Sequence, residues 1–305
     1  MVNLPRKVTI IEVGPRDGFQ NEHTFIPTDQ KIRIIDALSE TGLARMEATS
    51  FVHPKAIPNL ADAADVMTRI RKKEGVLYEA LIPNLKGAER ALQAGVKNVK
   101  LVISVSEAHN KSNVNMSVAD SLNNMEEIAR LAKAHGMRIT GGLAMVFGCP
   151  WEGKVPVSKI EAIIARLLEV GAEDISLGDT SGMGDPAYVS ETLNHFVDLI
   201  KAGKLSLHFH NTRGTGLANV LAGMEAGVTM FDASIGGLGG CPFSPGATGN
   251  IATEDLVHML QAMGIETGVN LPKLIEVAKI VQGVIGRPLP SSMIKAGPVP
   301  WSLTK

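Results

Sequence analysis

His208 and His210 stand two apart in Leu207-His-Phe-His-Asn211. In an extended segment, residues i and i+2 share a face, so both imidazoles can meet one cation while Phe209 points away. The alternative is a polar cap in which the rings only hydrogen-bond. Asp17, in Gly14-Pro-Arg-Asp-Gly18, and Asn250 turn the reading towards a metal, because two ring nitrogens, a carboxylate and an amide oxygen form a mixed N/O set. Such a set suits Mg²⁺ or Mn²⁺ with open positions, whereas Zn²⁺ prefers closed four-coordinate sites or thiolates.

Arg16 keeps its proton at any working pH. It reads either as an ion-pair partner of Asp17 or as a guanidinium that stabilises an oxyanion developing beside the metal. Glu47 and Asp179 read equally as groups in proton transfer and as partners that orient His or Arg side chains. Cys241 lies in Gly236-Gly-Leu-Gly-Gly-Cys-Pro-Phe-Ser-Pro-Gly-Ala-Thr-Gly-Asn250, a stretch too glycine-rich to hold itself rigid. It is expected to be a mobile lid whose thiol donates a proton on closure; the alternative is an incidental buried cysteine, the reading taken for Cys149.

These residues need a scaffold, and the chain's rhythm predicts one. Strands are predicted over Val8 to Gly14, Arg45 to Phe51, Val76 to Ile82, Asn98 to Val105, Arg138 to Phe147, Asp174 to Gly178, Leu205 to His210 and Met230 to Ile235. Helices are predicted to begin near Thr28, Leu60, Leu85, Ser117, Val157, Pro186, Leu217 and Thr253. Several end at Gly42, Gly95, Gly136, Gly171, Gly203, Gly227 or Gly264, as glycine just past a helix end suggests. Eight βα units predict an α/β fold, a (β/α)8 TIM barrel with its active site at the strands' C-terminal ends. An open, doubly wound sheet is the competitor, but its glycine-rich phosphate fingerprint is missing after the first strand. A single domain over residues 1–305 is expected, with the barrel over about 8–264 and a C-terminal helical extension over about 265–305 that includes a helix from Leu271 to Ile285. On this barrel the chemical residues fall on strands 6, 7, 8, 1 and 2, with none on strands 3 to 5.

Composition narrows the class. Thirty Lys and Arg against 31 Asp and Glu give a formal charge of −1, so no positive field gathers nucleic acid or an anionic membrane. The longest uncharged run, Ala233 to Thr253, is built of Gly, Pro, Ser and Asn and reads as loop, not membrane span. Glu12 interrupts the apolar start, so no cleaved leader is expected, and two cysteines in 305 residues suit a reducing compartment; a cytoplasmic protein is predicted.

Glu12-Val-Gly-Pro-Arg-Asp-Gly-Phe-Gln-Asn-Glu22, Glu47-Ala-Thr-Ser-Phe-Val52 and Gly236-Gly-Leu-Gly-Gly-Cys-Pro242 resemble motifs of the 3-hydroxy-3-methylglutaryl-CoA lyase family. Ala80-Leu-Ile-Pro-Asn-Leu-Lys-Gly87, Gly148-Cys-Pro-Trp-Glu-Gly153, Ser176-Leu-Gly-Asp-Thr180 and Gly249-Asn-Ile-Ala-Thr-Glu-Asp-Leu256 extend the resemblance from about Leu4 to the final helix. It implies a divalent cation, Mg²⁺ or Mn²⁺, on Asp17, His208, His210 and Asn250. It implies that Arg16 steadies an enolate, that Cys241 is the acid on its loop, and that Glu47, Asp179 and His208 take part in catalysis. Arg16, Gln20, Ser50 and Asn113 are the substrate contacts it suggests. The implied reaction cleaves the tertiary-alcohol acyl-CoA to acetyl-CoA and acetoacetate, as in leucine degradation and ketone-body formation, in a homodimer. The chain departs from the family's pattern at Asn211 and Arg213, and in the walls Leu101-Val-Ile-Ser-Val-Ser106 and Gly142-Leu-Ala-Met-Val-Phe147. An added arginine near the metal could engage a differently placed carboxylate, so citramalyl-CoA, giving pyruvate, is the competing substrate. A barrel that only binds metal or acyl-CoA is the non-enzymatic alternative.

Overall fold

The structure is a computed structural model and describes residues 4–240 and 249–299. Eight parallel strands close on themselves in sequence order: β1 (Thr9–Glu12), β2 (Arg45–Ser50), β3 (Leu77–Leu81), β4 (Asn98–Ser104), β5 (Arg138–Ala144), β6 (Asp174–Asp179), β7 (Leu205–Phe209) and β8 (Met230–Ala233). Ring closure runs through Thr9 to Glu12 paired with Met230 to Ala233. The open-sheet alternative is thereby excluded, since strands 1 and 8 would be far apart in it.

Helices cross between the strands: α1 (Thr28–Ser39), α2 (Ala63–Arg69), α3 (Leu85–Gln93), α4 (Glu107–Val114), α5 (Val118–Ala134), α6 (Val157–Glu169), α7 (Pro186–Leu193), α8 (Val197–Lys201) and α9 (Gly216–Glu225), followed by α10 (Thr253–Ala262), α11 (Leu271–Ile285) and α12 (Ser292–Ala296). In α6, Ile160, Ile163, Ile164 and Leu167 recur at i, i+3, i+4 and i+7 and are all buried. Burying each such side chain stabilises the fold by about 1.5–3 kcal/mol. The α11 helix matches its predicted limits, started by Asn270, whose side chain accepts from Lys273 N, and stopped at left-handed Gly286.

Two expectations change. The segment between Ser106 and Ser117 contains α4, which has no apolar period: its buried residues are His109 and Asn110, and its ends are set by the Ser106 cap and left-handed Asn115. The helix expected from Pro186 to Gly203 is two helices, α7 and α8, parted by Asn194 to Phe196.

The extension is tied to the barrel's N-terminal side. Asn270 N donates to Thr41 O at 2.7 Å. Gly42, at φ 94°, packs so closely there that a β-carbon would lie 2.2 Å from Gly268 O.

The barrel interior is unusually ionic. At its N-terminal end the Arg45 guanidinium donates to both Glu79 oxygens, to Asp174 and to Thr140, all buried. The layer above takes the third residue of every even-numbered strand: Glu47, Lys100, Ser176 and Asp232. Alternate strands filling one layer is the packing of a (β/α)8 barrel. Strands 3 to 5 therefore do contribute buried polar chemistry, through Glu79, Lys100 and Thr140, which corrects the expectation that they carry none. No helix among the described residues is long and apolar enough to cross a membrane.

Candidate metal centre and substrate cavity

Local backbone geometry delivers each candidate ligand. After β1 the chain turns through a π-helical turn, Gly14–Gly18, in which Asp17 N donates to Val13 O at 2.7 Å, and this turn lays Arg16 and Asp17 over the barrel mouth. His208 is in β7; His210 lies one residue beyond it and meets Asn250 in an isolated antiparallel bridge. Asn211 N donates to Gly249 O and Ile251 N to Phe209 O, so Asn250 is held beside the histidines from 40 residues further along the chain.

One ligand atom from each of Asp17, His208 and His210 lies within 4.8 Å of the others. The two Nε2 atoms are 3.1 Å apart, and His210 Nε2 is 3.9 Å from Asp17 Oδ2. Asn250 Nδ2 donates to Asp17 Oδ2 at 2.6 Å and to Leu238 O, while its Oδ1 is buried without a hydrogen-bond partner. Converging ring nitrogens, a carboxylate and an orphaned amide oxygen are the donor set that a hard or borderline divalent cation completes, so these residues fit one.

The anionic and cationic side chains around this cluster form a continuous chain of ion pairs. Arg16 Nη1 donates to Asp17 Oδ1 at 2.7 Å and its Nε to Glu47 Oε1 at 2.5 Å. Glu47 Oε2 in turn accepts from Lys100 Nζ at 3.2 Å, and Lys100 also donates to Asp232 Oδ2 at 3.0 Å. That same Asp232 oxygen is 3.2 Å from His208 Nδ1. A carboxylate there requires Nδ1 to carry the proton, which leaves Nε2 as a lone pair facing His210 and Asp17. Burial favours the neutral forms throughout, but the partners win. Lys100 and His208 hold Asp232 well below the usual carboxylate range, and Arg16 does the same for Asp17 and, with Lys100, for Glu47. Arg16 is correspondingly raised, by Glu47 and Asp17 against burial.

A cavity of about 340 Å³ opens beside the cluster. Its polar wall includes Arg16, Asp17, Gln20, Ser50, Asn113, His208 and His210. Lys100, His109 and Ser176 add to the polar part, and Val52, Ile57, Val102, Met116, Met125 and Leu143 form its apolar part. Thus Arg16, Gln20, Ser50 and Asn113 share one cavity. Glu47 is fully buried behind Arg16. Asp179 is not on the wall: its oxygens accept from Met183 N and Gly184 N, and burial lifts its carboxyl to about 6 against those bonds. Cys241 lies outside the described residues. Arg213 does not line the cavity either, since its Nη1 donates to the carbonyls of Ser181 and Gly182. That placement corrects the expectation that it reaches a substrate carboxylate. Asn211 is used locally too, accepting from Gly216 N at the start of α9.

Sequence reasoning did not single out Lys100 and Asp232. The available signal was a charged residue at an inward position of an apolar strand, Asn98-Val-Lys-Leu-Val-Ile-Ser104 and Met230-Phe-Asp-Ala233.

The profile of the HMGL-like family matches residues 7–281. A hydroxymethylglutaryl-CoA lyase of Bacillus subtilis is 47% identical over 287 residues, 94% of this chain and 96% of that protein. The mitochondrial hydroxymethylglutaryl-CoA lyase of Bos taurus is 44% identical over 96% of this chain and 90% of its own length. Among solved structures, an HMG-CoA lyase from Acinetobacter baumannii in complex with coenzyme A and 3-methylmalate superposes with a TM-score of 0.94 at 45% identity, covering 98% of each chain.

Proposed function

The chain belongs to the HMGL-like family and is a lyase, and from that premise we propose that it cleaves 3-hydroxy-3-methylglutaryl-CoA to acetyl-CoA and acetoacetate with Mg²⁺ or Mn²⁺ held by Asp17, His208, His210 and Asn250. The observation that carries this reading is the convergence of Asp17, His208 and His210 with Arg16 on one cavity wall, with Asn250 hydrogen-bonded to Asp17 behind them, in a chain this similar to hydroxymethylglutaryl-CoA lyases.

A bound divalent cation supplies Lewis acidity that lowers the pKa of a substrate hydroxyl. The protein's own groups do the rest. Asp232 keeps His208 in the tautomer that presents Nε2 to the cavity. With the 3-hydroxyl proton passed to water in the open cavity, collapse of the alkoxide to the ketone breaks the carbon–carbon bond and leaves the acetyl-CoA fragment as an enolate. Arg16, pinned by Glu47 and Asp17, places a permanent positive charge where that oxyanion develops. The enolate carbon then takes a proton, for which we assign the Cys241 thiol. Glu47, behind Arg16, acts by orienting it, and Asp179 by holding the turn through Met183 and Gly184. Gln20, Ser50 and Asn113 are the further substrate contacts, and the apolar wall through Val52, Val102 and Met125 suits the acyl-CoA chain. We assign a cytoplasmic homodimer, on the two-cysteine composition and on the family resemblance respectively.

The test is turnover by purified protein with Mg²⁺ or Mn²⁺ of 3-hydroxy-3-methylglutaryl-CoA and, in parallel, citramalyl-CoA. Acetyl-CoA and the released oxo acid are followed, with EDTA controls. EDTA-sensitive release of acetoacetate supports the reading. Preference for citramalyl-CoA moves the substrate and keeps the chemistry, and inertness to both refutes it.

A further inference from the structure

Lys100 is the second permanent cation on the cavity wall, after Arg16, among the described residues. Its side chain is 6% exposed, and its ammonium is gripped by Glu47 Oε2 at 3.2 Å and Asp232 Oδ2 at 3.0 Å. An ammonium has three N–H donors, so one remains after these two bonds. Gly142 of the neighbouring β5 lines the same cavity beside it. A β-carbon there would press on Val102 Cγ2 at 3.0 Å and reach Lys100 Cε at 3.5 Å. Gly142 is in an ordinary strand conformation, so no backbone constraint accounts for the missing side chain.

Charge counting gives this arrangement a purpose. Around the cluster, Arg16 and Lys100 face Asp17, Glu47 and Asp232, two positive groups against three negative ones. A divalent cation brings the sum to one positive charge, which a single carboxylate neutralises. Without Lys100 the loaded site would sum to zero, and its pull on such an anion would be weaker.

We propose that Lys100 is a substrate-binding, specificity-determining residue: its remaining N–H, on the cavity wall beside Gly142, recognises the carboxylate of the acyl group. The inference rests on the lyase reading and deepens it. It assigns the protein to 3-hydroxyacyl-CoA substrates that carry a second, anionic end close to the reacting hydroxyl, and it makes β4 and β5 the wall that selects them.

The test compares wild type with Lys100→Met for binding of two acyl-CoA ligands by calorimetry in the presence of saturating Mn²⁺. 3-Hydroxyglutaryl-CoA bears the carboxylate; 3-hydroxybutyryl-CoA lacks it. Removing a charge-assisted hydrogen bond of this kind should weaken the first ligand roughly 10–100-fold. The second should change less than about threefold, and Mn²⁺ itself should bind no more weakly, because the variant leaves its site more negative. Steady-state turnover should show the loss mainly in KM. Should Lys100→Met not fold, Lys100→Gln takes its place, since its amide can still donate to both Glu47 and Asp232. Equal weakening of both ligands, or no change in either, overturns the proposal. Inertness of wild type to both 3-hydroxy-3-methylglutaryl-CoA and citramalyl-CoA counts against the lyase reading, whereas the difference between the two ligands reports on Lys100 itself.

Discussion

Asp232→Asn is the most informative single change to the proposed metal centre, because the residue touches a candidate ligand without being one. Its Oδ2 accepts from Lys100 Nζ at 3.0 Å, His208 Nδ1 at 3.2 Å and Ser176 Oγ at 3.4 Å. The amide keeps the shape and loses the charge. Hydrogen bonds to a charged group contribute about 1.5–3 kcal/mol and neutral ones about 0.5–1.5 kcal/mol, so the hold on His208 weakens by about 1 kcal/mol. Two further effects share that sign. The imidazole becomes a less basic ligand, and Lys100, left with Glu47 as its one counter-charge, repels a cation more strongly. Changes to carboxylate partners of metal-bound histidines cost about 10–100-fold in affinity, or about 1.4–2.7 kcal/mol, and the sum here falls in that range. The assay is calorimetric titration of metal-free protein with Mn²⁺, checked by the electron-spin signal of free Mn²⁺. Mn²⁺ affinity within about twofold of wild type, or tighter, would mean that Asp232 does not orient His208 towards a cation, and the assignment of the centre would fail with it.

Two other outcomes follow from the geometry. Arg213→Ala should leave KM and kcat for the acyl-CoA within about threefold of wild type, because Arg213 bonds the Ser181 and Gly182 carbonyls and is absent from the cavity wall; a large rise in KM alone would put it back in contact with substrate. Burial pushes the Glu12 carboxyl up to about 8, against donors from Thr253, Ile235 and Gly14. A folded-state pKa raised above the ordinary 4.5 gives stability that is complete below that value and is lost as pH rises through about 8. Glu12→Gln stands in for the protonated acid, so its melting temperature should fall less than that of wild type between about pH 6 and about pH 9; parallel curves would show that Glu12 is not the source.

The proposed metal ligands were readable one by one for different reasons. His208 and His210 are legible because a strand's two-residue period puts both on one face, even though His210 proves to lie just beyond β7. Asp17 and Arg16 stand out as paired charges ending the first apolar run, but nothing in their spacing foretold the π-helical turn that lays them over the mouth. The α4 helix escaped because helical periodicity is a signal of apolar faces, and this helix buries His109 and Asn110 instead. Arg213 misled in the opposite way: proximity to the histidines in sequence suggested a substrate contact, and the chain beyond β7 carries its side chain to the loop after β6.

The sequence by itself determined the alternation of strands and helices, the closing glycines and the chemical types at the strand ends, because these depend on local periodicity and backbone preference. Tertiary structure alone decided which distant charges meet. Glu47, Lys100, Ser176 and Asp232 come from four different strands and share one layer only because the barrel closes and staggers its even strands together. Each is a buried polar side chain whose cost is offset by partners far away in the chain, and no local pattern records who those partners are.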